Sequence, residues 1–170
     1  MTAPTPILAA GTWPTNAHLI EDVARLGYLR PEWRTLDPTW GLGRWWTRWQ
    51  PDELYGCDRE TAKSPVGRSM DFRRLPWSDG WFDAAVFDPP YMAPGGRKTS
   101  GTADFNDRFG LHTTASSPAG NQRLIEAGLT EVCRVVRPGG MVLVKVMDYV
   151  SSGKLWMGTH HTLGHALGLG

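Results

Sequence analysis

Short apolar segments alternate with segments of helical periodicity along most of this chain, and this alternation constrains the fold more than any other feature. Strands that alternate with helices predict an open α/β sheet with helices on both faces. No segment repeats, and no low-complexity tract interrupts the pattern. The predicted strands are residues 33–37, 53–58, 67–71, 81–88 and 141–148.

Apolar residues at three- and four-residue spacing predict the helices. The segment "NQRLIEAGLTEVCRVV" is amphipathic and ends at an Arg-Pro-Gly-Gly turn, which stops a helix. The run "MVLVKVMD" that follows is almost all apolar, as expected of a central parallel strand buried on both faces. The predicted helices are residues 15–29, 44–49, 121–136 and 155–170.

Length and composition describe an ordinary globular chain. The 170 residues suit one domain with one core, spanning residues 1–170. A net charge of +1 neither supports nor excludes a nucleic-acid partner, since a local basic patch is enough. Two cysteines without metal-ligand spacing predict no metal site and no disulfide framework, so we expect a reducing cytoplasm. No apolar run is long enough to span a bilayer, so we expect no membrane partner.

Each predicted strand ends in an aspartate, and ligands of open α/β sheets bind at the carboxyl ends of the strands. One such aspartate means little, because aspartate is a common turn residue. Five at one edge of one sheet would gather carboxylates where a ligand lies. They are Asp37, Asp58, Asp71, Asp88 and Asp148.

A glycine turn follows the first strand in "LDPTWGLG". Gly41 and Gly43 would permit a tight turn and let the backbone approach a ligand, although a plain strand-to-helix turn is equally compatible. The third glycine of a dinucleotide fingerprint and the lysine of a P-loop are both missing, so a ligand with little or no phosphate fits better. Asp58, 15 residues further on, could accept both hydroxyls of a ribose or could be an exposed turn residue.

The most informative motif is Asp88-Pro89-Pro90-Tyr91. An exocyclic amine on an aromatic ring is a poor nucleophile, and two acceptors favour the pyramidal form that frees its lone pair. Asp88 offers a carboxylate and Pro89 a carbonyl, while the prolines remove backbone donors. Tyr91 offers a flat face for a ring. A rigid edge turn or a structural tyrosine is the alternative.

These motifs in this order resemble class I S-adenosylmethionine-dependent methyltransferases, and more narrowly the enzymes that methylate adenine N6 or cytosine N4 in DNA. The resemblance rests on "LDPTWGLG", "FDAAVFDPPY" and "RPGGMVLVK" and covers roughly residues 12 to 165. It implies S-adenosylmethionine as cofactor, DNA rather than RNA as partner, and a base flipped out of the duplex. It implies a catalytic set of Asp88, Pro89, Pro90 and Tyr91, and a cofactor set of Asp37, Thr39, Gly41, Gly43, Asp58, Asp71 and Phe72.

Within the cofactor set, the resemblance assigns the methionine end to the two glycines, the ribose hydroxyls to Asp58, and the adenine to Asp71 with Phe72. The segment "TWPTNAH" (12–18) corresponds to a further cofactor-contacting segment. The loop 91–120 follows the catalytic motif and is a candidate target-recognition or lid segment. Its residues Arg97, Lys98 and Arg108 would contact phosphates.

The chain also departs from the family pattern. Trp40 stands in the glycine turn, where the family has a small residue or phenylalanine, and would narrow the pocket or pack beneath it. The antiparallel strand pair that ends the family's sheet is expected to be missing after "HALGLG". Two alternatives therefore stay open: an RNA methyltransferase acting on guanine N2 or adenine N6, and a truncated module that binds cofactor or nucleic acid without catalysis. The oligomeric state is not predicted.

Overall fold

The structure, a computed structural model, describes residues 13–91 and 117–169. Its helices are α1 (Asn16–Arg25), α2 (Pro118–Val135) and α3 (Gly158–Leu167), with one 3-10 turn at Arg44–Trp46. Its strands are β1 (Arg34–Asp37), β2 (Glu53–Gly56), β3 (Phe82–Phe87), β4 (Val136–Val144), β5 (Tyr149–Ser151) and β6 (Lys154–Trp156).

The main sheet has four parallel strands in the order β2-β1-β3-β4. Side chains alternate between its two faces along β3. Ala84 and Val86 pack with Ile20 of α1 on one face, and Ala85 and Phe87 pack with the α2 face on the other. The predicted α/β class, with helices on both faces of a parallel sheet, is confirmed.

Helix α2 forms close to the predicted residues 121–136, because its capping residues and its buried apolar face both favour a helix there. The Ser117 hydroxyl caps the first turn by accepting from the Gly120 amide at 3.1 Å, and a proline occupies the first turn. Gly128 lets the helix approach the sheet closely, since a Cβ there would lie 2.6 Å from the rings of Phe72 and Phe87.

One predicted strand does not form, and another forms as part of β4 but at a different place in the sheet. Residues 67–71 form a bend followed by irregular backbone, because "GRSMD" has a single apolar residue, Met70, which enters the core without strand pairing. Asp71 therefore does not end a strand. The apolar run 141–148 was expected at the centre of the sheet, but β4 is an edge strand of the described sheet and its residues are only half-buried.

The C-terminal segment 155–170 was predicted to be one helix, and it is not. β5 and β6 form an antiparallel hairpin outside the main sheet, and α3 begins only at Gly158. The hairpin turns at Ser152 and Gly153, which both have positive φ (51° and 73°), as in a two-residue turn that matches the strand twist. The helix predicted over residues 44–49 is also shorter, at one 3-10 turn. Across the described parts of the chain, no helix has the length and apolar character needed to cross a membrane.

Candidate active site

Hydrogen bonds join the loops that leave β1, β2 and β3 into one structure at the carboxyl edge of the sheet. The Asp88 amide, just after β3, donates to Thr39 Oγ1 at 2.9 Å. The Gly41 amide donates to Asp58 Oδ2 at 2.8 Å, and the Trp40 amide donates to the Cys57 carbonyl at 3.0 Å. The structure thus brings the predicted glycine turn, Asp58 and the Asp-Pro-Pro-Tyr motif to one edge.

The glycine turn is rigid. Gly41 and Gly43 both have positive φ (56° and 64°), which explains glycine at each position. Asp58 holds the turn, since one of its oxygens accepts from Gly41 and the other accepts from the Glu60 amide at 2.8 Å. A carboxylate has about four lone-pair positions, so about two remain for the hydroxyls of a ligand.

Trp40 packs between the glycine turn and the end of β2. A Cβ on Gly43 would lie 2.7 Å from its indole ring, and a Cβ on Gly56 would lie 2.1 Å from it. Both glycines therefore leave space that the tryptophan fills. Of the two positions expected for this unusual residue, the structure has the ring packed beneath the turn.

Asp37, the last residue of β1, is buried, and both of its carboxylate oxygens accept hydrogen bonds. It is only 4% exposed, and it accepts from the Trp46 indole at 2.7 Å and from the Thr39 amide at 3.0 Å. Burial, with a smaller contribution from the charge of Asp88, raises the pKa of Asp37 to about 7, although the hydrogen bonds from Trp46 and Thr39 act in the opposite direction. The hydrogen bonds of Asp37 to Trp46 and Thr39 hold the loop after β1 in place. Burial likewise raises the pKa of the neighbouring Cys57 thiol to about 12, so this thiol is no nucleophile at neutral pH.

The Asp88 carboxylate has a buried acceptor oxygen that no hydrogen-bond donor satisfies in the described structure. This oxygen is Oδ1. Burial raises the pKa of Asp88 to about 6, although the Lys145 charge and the Trp45 indole act in the opposite direction. Pro89 is buried, whereas Pro90 and Tyr91 are half-buried beside it.

Lys145 was not predicted, yet it projects into this site from the end of β4. Its Nζ lies 3.9 Å from Asp88 Oδ1 and 3.3 Å from Asn16 Oδ1. It also lies 5.4 Å from the ring centre of Trp45 and 5.5 Å from that of Tyr91. The Lys145 ammonium is thus a nitrogen donor near two aromatic rings and a carboxylate. The sequence predicts the same surroundings for the amine of a base.

A sequence signal for Lys145 did exist. It is the one charged residue in the interior of the apolar run 141–148, and buried or half-buried charges need partners. The segment "TWPTNAH" also reaches the site, since Asn16 is the residue that accepts from Lys145.

The side chains of Asp71 and Phe72 make their contacts with residues outside this arrangement. Arg73 pairs with Asp71 and lowers its pKa, and the Phe72 ring packs edge-on against Phe87 at 5.2 Å in the core under α2. The backbone does connect this segment to the site, because the Met70 amide donates to the Asp58 carbonyl at 2.9 Å. Their assignment to a cofactor adenine stays a prediction.

Other predicted features fall elsewhere. Arg97, Lys98 and Arg108 lie outside the described residues, as does most of the loop 91–120. Asp148, after β4, accepts from the Thr159 amide at 2.9 Å and so holds the start of α3.

No protein-family model matches the chain, and no curated protein matches it by sequence. Solved structures do resemble it. The cyclase SpnF is 17% identical with a TM-score of 0.59, over 91% of this chain and 56% of SpnF. A structure from Thermotoga maritima, described as a SAM-dependent methyltransferase and possible histamine N-methyltransferase, is 16% identical with a TM-score of 0.53, over 89% of this chain and 70% of that one.

The chain spans little more than half the length of SpnF. Because one neighbour is a cyclase and the other a methyltransferase, the likeness indicates a fold but not a reaction. The reaction has to be inferred from the residues of the site. The parallel sheet β2-β1-β3-β4, with its glycine turn and helices on both faces, has the Rossmann-like fold of S-adenosylmethionine-dependent methyltransferases.

Proposed function

We propose that this protein transfers the methyl group of S-adenosylmethionine to an exocyclic amino group of a nucleic-acid base, adenine N6 or cytosine N4, in DNA. One observation carries the proposal. The Asp88 carboxylate lies at the carboxyl edge of the sheet, beside Tyr91 and bonded through its backbone to the glycine turn, and its Oδ1 has no hydrogen-bond partner among the described residues.

The residues present fit the cofactor. Gly41 and Gly43 form a half-buried turn that internal hydrogen bonds hold at the carboxyl edge of the sheet, and Asp58 beside them keeps unused lone pairs for ribose hydroxyls. The missing P-loop lysine suits a cofactor without a phosphate chain. When bound, the cofactor would supply an electrophilic methyl group.

The chain itself would orient the amine. Asp88 accepts one N–H of the amino group and the Pro89 carbonyl accepts the other, which favours the pyramidal nitrogen and frees its lone pair. Tyr91 supports the ring by stacking. An ionised Asp88 is needed as the acceptor, so transfer should fall as the pH drops through about 6, the pKa to which burial raises this carboxyl.

Lys145 occupies part of the same space and must move aside for the amine. Its side chain is a third exposed, and the displacement would break its hydrogen bond to Asn16 and its ion pair with Asp88, where the amine of the base would take its place as donor. Displaced towards solvent, the same charge would be available to a phosphate of the substrate.

The direct test is incubation with labelled S-adenosylmethionine and mixed DNA and RNA, followed by mass spectrometry of the nucleosides. Methylated deoxyadenosine or deoxycytidine supports the proposal, and methylated guanosine or adenosine favours the RNA alternative. Asp88→Ala should abolish transfer and leave cofactor binding, measured by calorimetry, largely intact. A folded Asp88→Ala protein that no longer binds cofactor would contradict the roles assigned here, and a wild-type chain that binds none would refute the proposal.

A further inference from the structure

The Lys145 amine lies in surroundings like those that the proposed function gives to a substrate amine. Its Nζ is 3.9 Å from Asp88 Oδ1, the buried oxygen without a hydrogen-bond partner among the described residues. The ring centres of Trp45 and Tyr91 lie 5.4 Å and 5.5 Å from the same Nζ, and Asn16 Oδ1 accepts its hydrogen bond at 3.3 Å. A carboxylate, two aromatic rings and an amide oxygen therefore surround one primary amine.

The other two lysines in the described parts of the chain each have only part of these surroundings. Lys63 pairs with the Glu60 carboxylate at 2.7 Å. Lys154 lies over the Trp156 ring, with its Nζ 4.8 Å from the ring centre. Within residues 13–91 and 117–169, Lys145 is the one lysine that has both a carboxylate and aromatic rings beside it.

We propose that Lys145 is a modification site, and that the protein transfers the methyl group of S-adenosylmethionine to its own Lys145 Nζ when no substrate amine occupies the site. This inference rests on the proposed function, because it uses the same cofactor and the same carboxylate. The Lys145 side chain is a third exposed and lies at the edge of the sheet where Thr39 joins the glycine turn to Asp88. Methylation of Nζ therefore needs no unfolding of the core.

The transfer would proceed as nucleophilic attack by the free amine. One proton of the Lys145 ammonium passes to the Asp88 carboxylate and from there to solvent, which frees the lone pair of the nitrogen. The nitrogen then forms a bond to the methyl carbon, while the bond from that carbon to the sulfonium sulfur breaks and leaves its electron pair on sulfur. The products are methyl-lysine and S-adenosylhomocysteine. The methylated nitrogen is again a cation, and aromatic rings such as those of Trp45 and Tyr91 suit a methylammonium group.

Intact-protein mass spectrometry tests the inference on the full chain, incubated with S-adenosylmethionine and no nucleic acid. We expect a mass gain that corresponds to one methyl group in place of one hydrogen, and peptide mapping should locate it at Lys145. Lys145→Arg keeps a cation at this position and should remove the gain. Asp88→Asn should also remove it, because an amide does not take up the proton. Lys154→Arg is the matched control and should keep the gain.

A second measurement does not depend on methyl transfer. Acetic anhydride acetylates accessible amines, and peptide mapping reports the extent of acetylation at each lysine. S-adenosylhomocysteine, at a concentration that saturates the protein in calorimetry, should protect Lys145 from acetylation and leave Lys63 and Lys154 unprotected. Equal acetylation of Lys145 in the free and the saturated protein would place its amine outside the cofactor site and overturn the inference.

The outcomes separate this inference from the proposed function. Methylated nucleosides without methylation of Lys145 would overturn the inference and leave the proposed function standing. Methylation of Lys145 without methylated nucleosides would support the inference and count against a base as substrate. Equal methylation of Lys63 and Lys154 would also overturn it, because it would show that the surroundings of Lys145 select nothing. A chain that binds neither S-adenosylmethionine nor S-adenosylhomocysteine would refute both.

Discussion

Replacing Asp88 by asparagine should make the protein more stable at neutral pH, although it removes the carboxylate proposed to hold the amine. The side chain is about three-quarters buried, and Oδ1 has no hydrogen-bond partner among the described residues. Burial therefore raises the pKa of Asp88 from 3.8 to about 6. A carboxylate kept ionised against this environment destabilises the folded state.

The sign and size follow from proton linkage. The folded state binds the Asp88 proton more tightly than the unfolded chain does, so ionisation costs nothing below pH 3.8 and destabilises the fold progressively up to about pH 6. At about 1.36 kcal/mol per pH unit, the full penalty above that pH is about 3 kcal/mol. Since part of the side chain is exposed and water screens its charge, we expect Asp88→Asn to raise the free energy of unfolding by about 1 to 3 kcal/mol at pH 8.

Urea denaturation of the wild type and the variant at about pH 4 and about pH 8 measures this difference. The gain should be present at pH 8 and nearly absent at pH 4, and methyl transfer should be lost at pH 8, where Asp88 of the wild type is ionised. Asp83→Asn is the matched control on the same strand. Arg137 pairs with Asp83 at 2.7 Å and lowers its pKa, so this substitution should reduce stability at pH 8. An Asp88→Asn protein that is no more stable than the wild type at pH 8, or equally stabilised at both pH values, would refute the reasoning.

Three further predictions follow from packing and charge. Gly56→Ala should lower the free energy of unfolding by about 1 to 3 kcal/mol in thermal denaturation, because its Cβ would meet the Trp40 ring; an unchanged midpoint would contradict the packed position of that ring. Lys145→Met removes a charge that lowers the pKa of Asp88, so the acidic limb of the methyl-transfer pH profile should move to higher pH. An unchanged limb would show that Lys145 does not control the pKa of Asp88. Ser117→Ala should cost about 1 kcal/mol in urea denaturation through the lost cap of α2, and a neutral result would mean that the cap is replaced by water.

The candidate site shows where prediction from sequence works. Gly41, Gly43, Asp58 and Asp88 were predicted from motifs of consecutive residues next to strand ends, and the structure brings all four to one edge of the sheet. Such motifs are local, and the parallel order of strands that unites them follows from alternation with helices. Lys145 was not predicted, because its importance depends on which loops surround the end of β4.

The same distinction explains the errors in the fold. A polar segment such as 67–71 has no periodicity that distinguishes a short strand from a turn, so the strand prediction there rested on little. The apolar composition of β4 indicates burial but does not say whether neighbouring strands or neighbouring helices provide it. The hairpin turn at Ser152-Gly153 carried a local signal, since Ser-Gly is a turn dipeptide, but the helix predicted from residue 155 onward took in most of β6.

By itself the sequence determined the α/β class, the position of the glycine turn and the position of Asp-Pro-Pro-Tyr after β3, because each depends on residues adjacent in the chain. Only the tertiary structure decided which aspartates keep free acceptors. Both oxygens of Asp37 accept hydrogen bonds, from Trp46 and Thr39, whereas Asp88 Oδ1 has no hydrogen-bond partner in the described structure. The tertiary structure likewise decided that Lys145 belongs beside Tyr91. Hydrogen-bond satisfaction and burial are properties of the packed chain, and neither can be computed from neighbours in sequence.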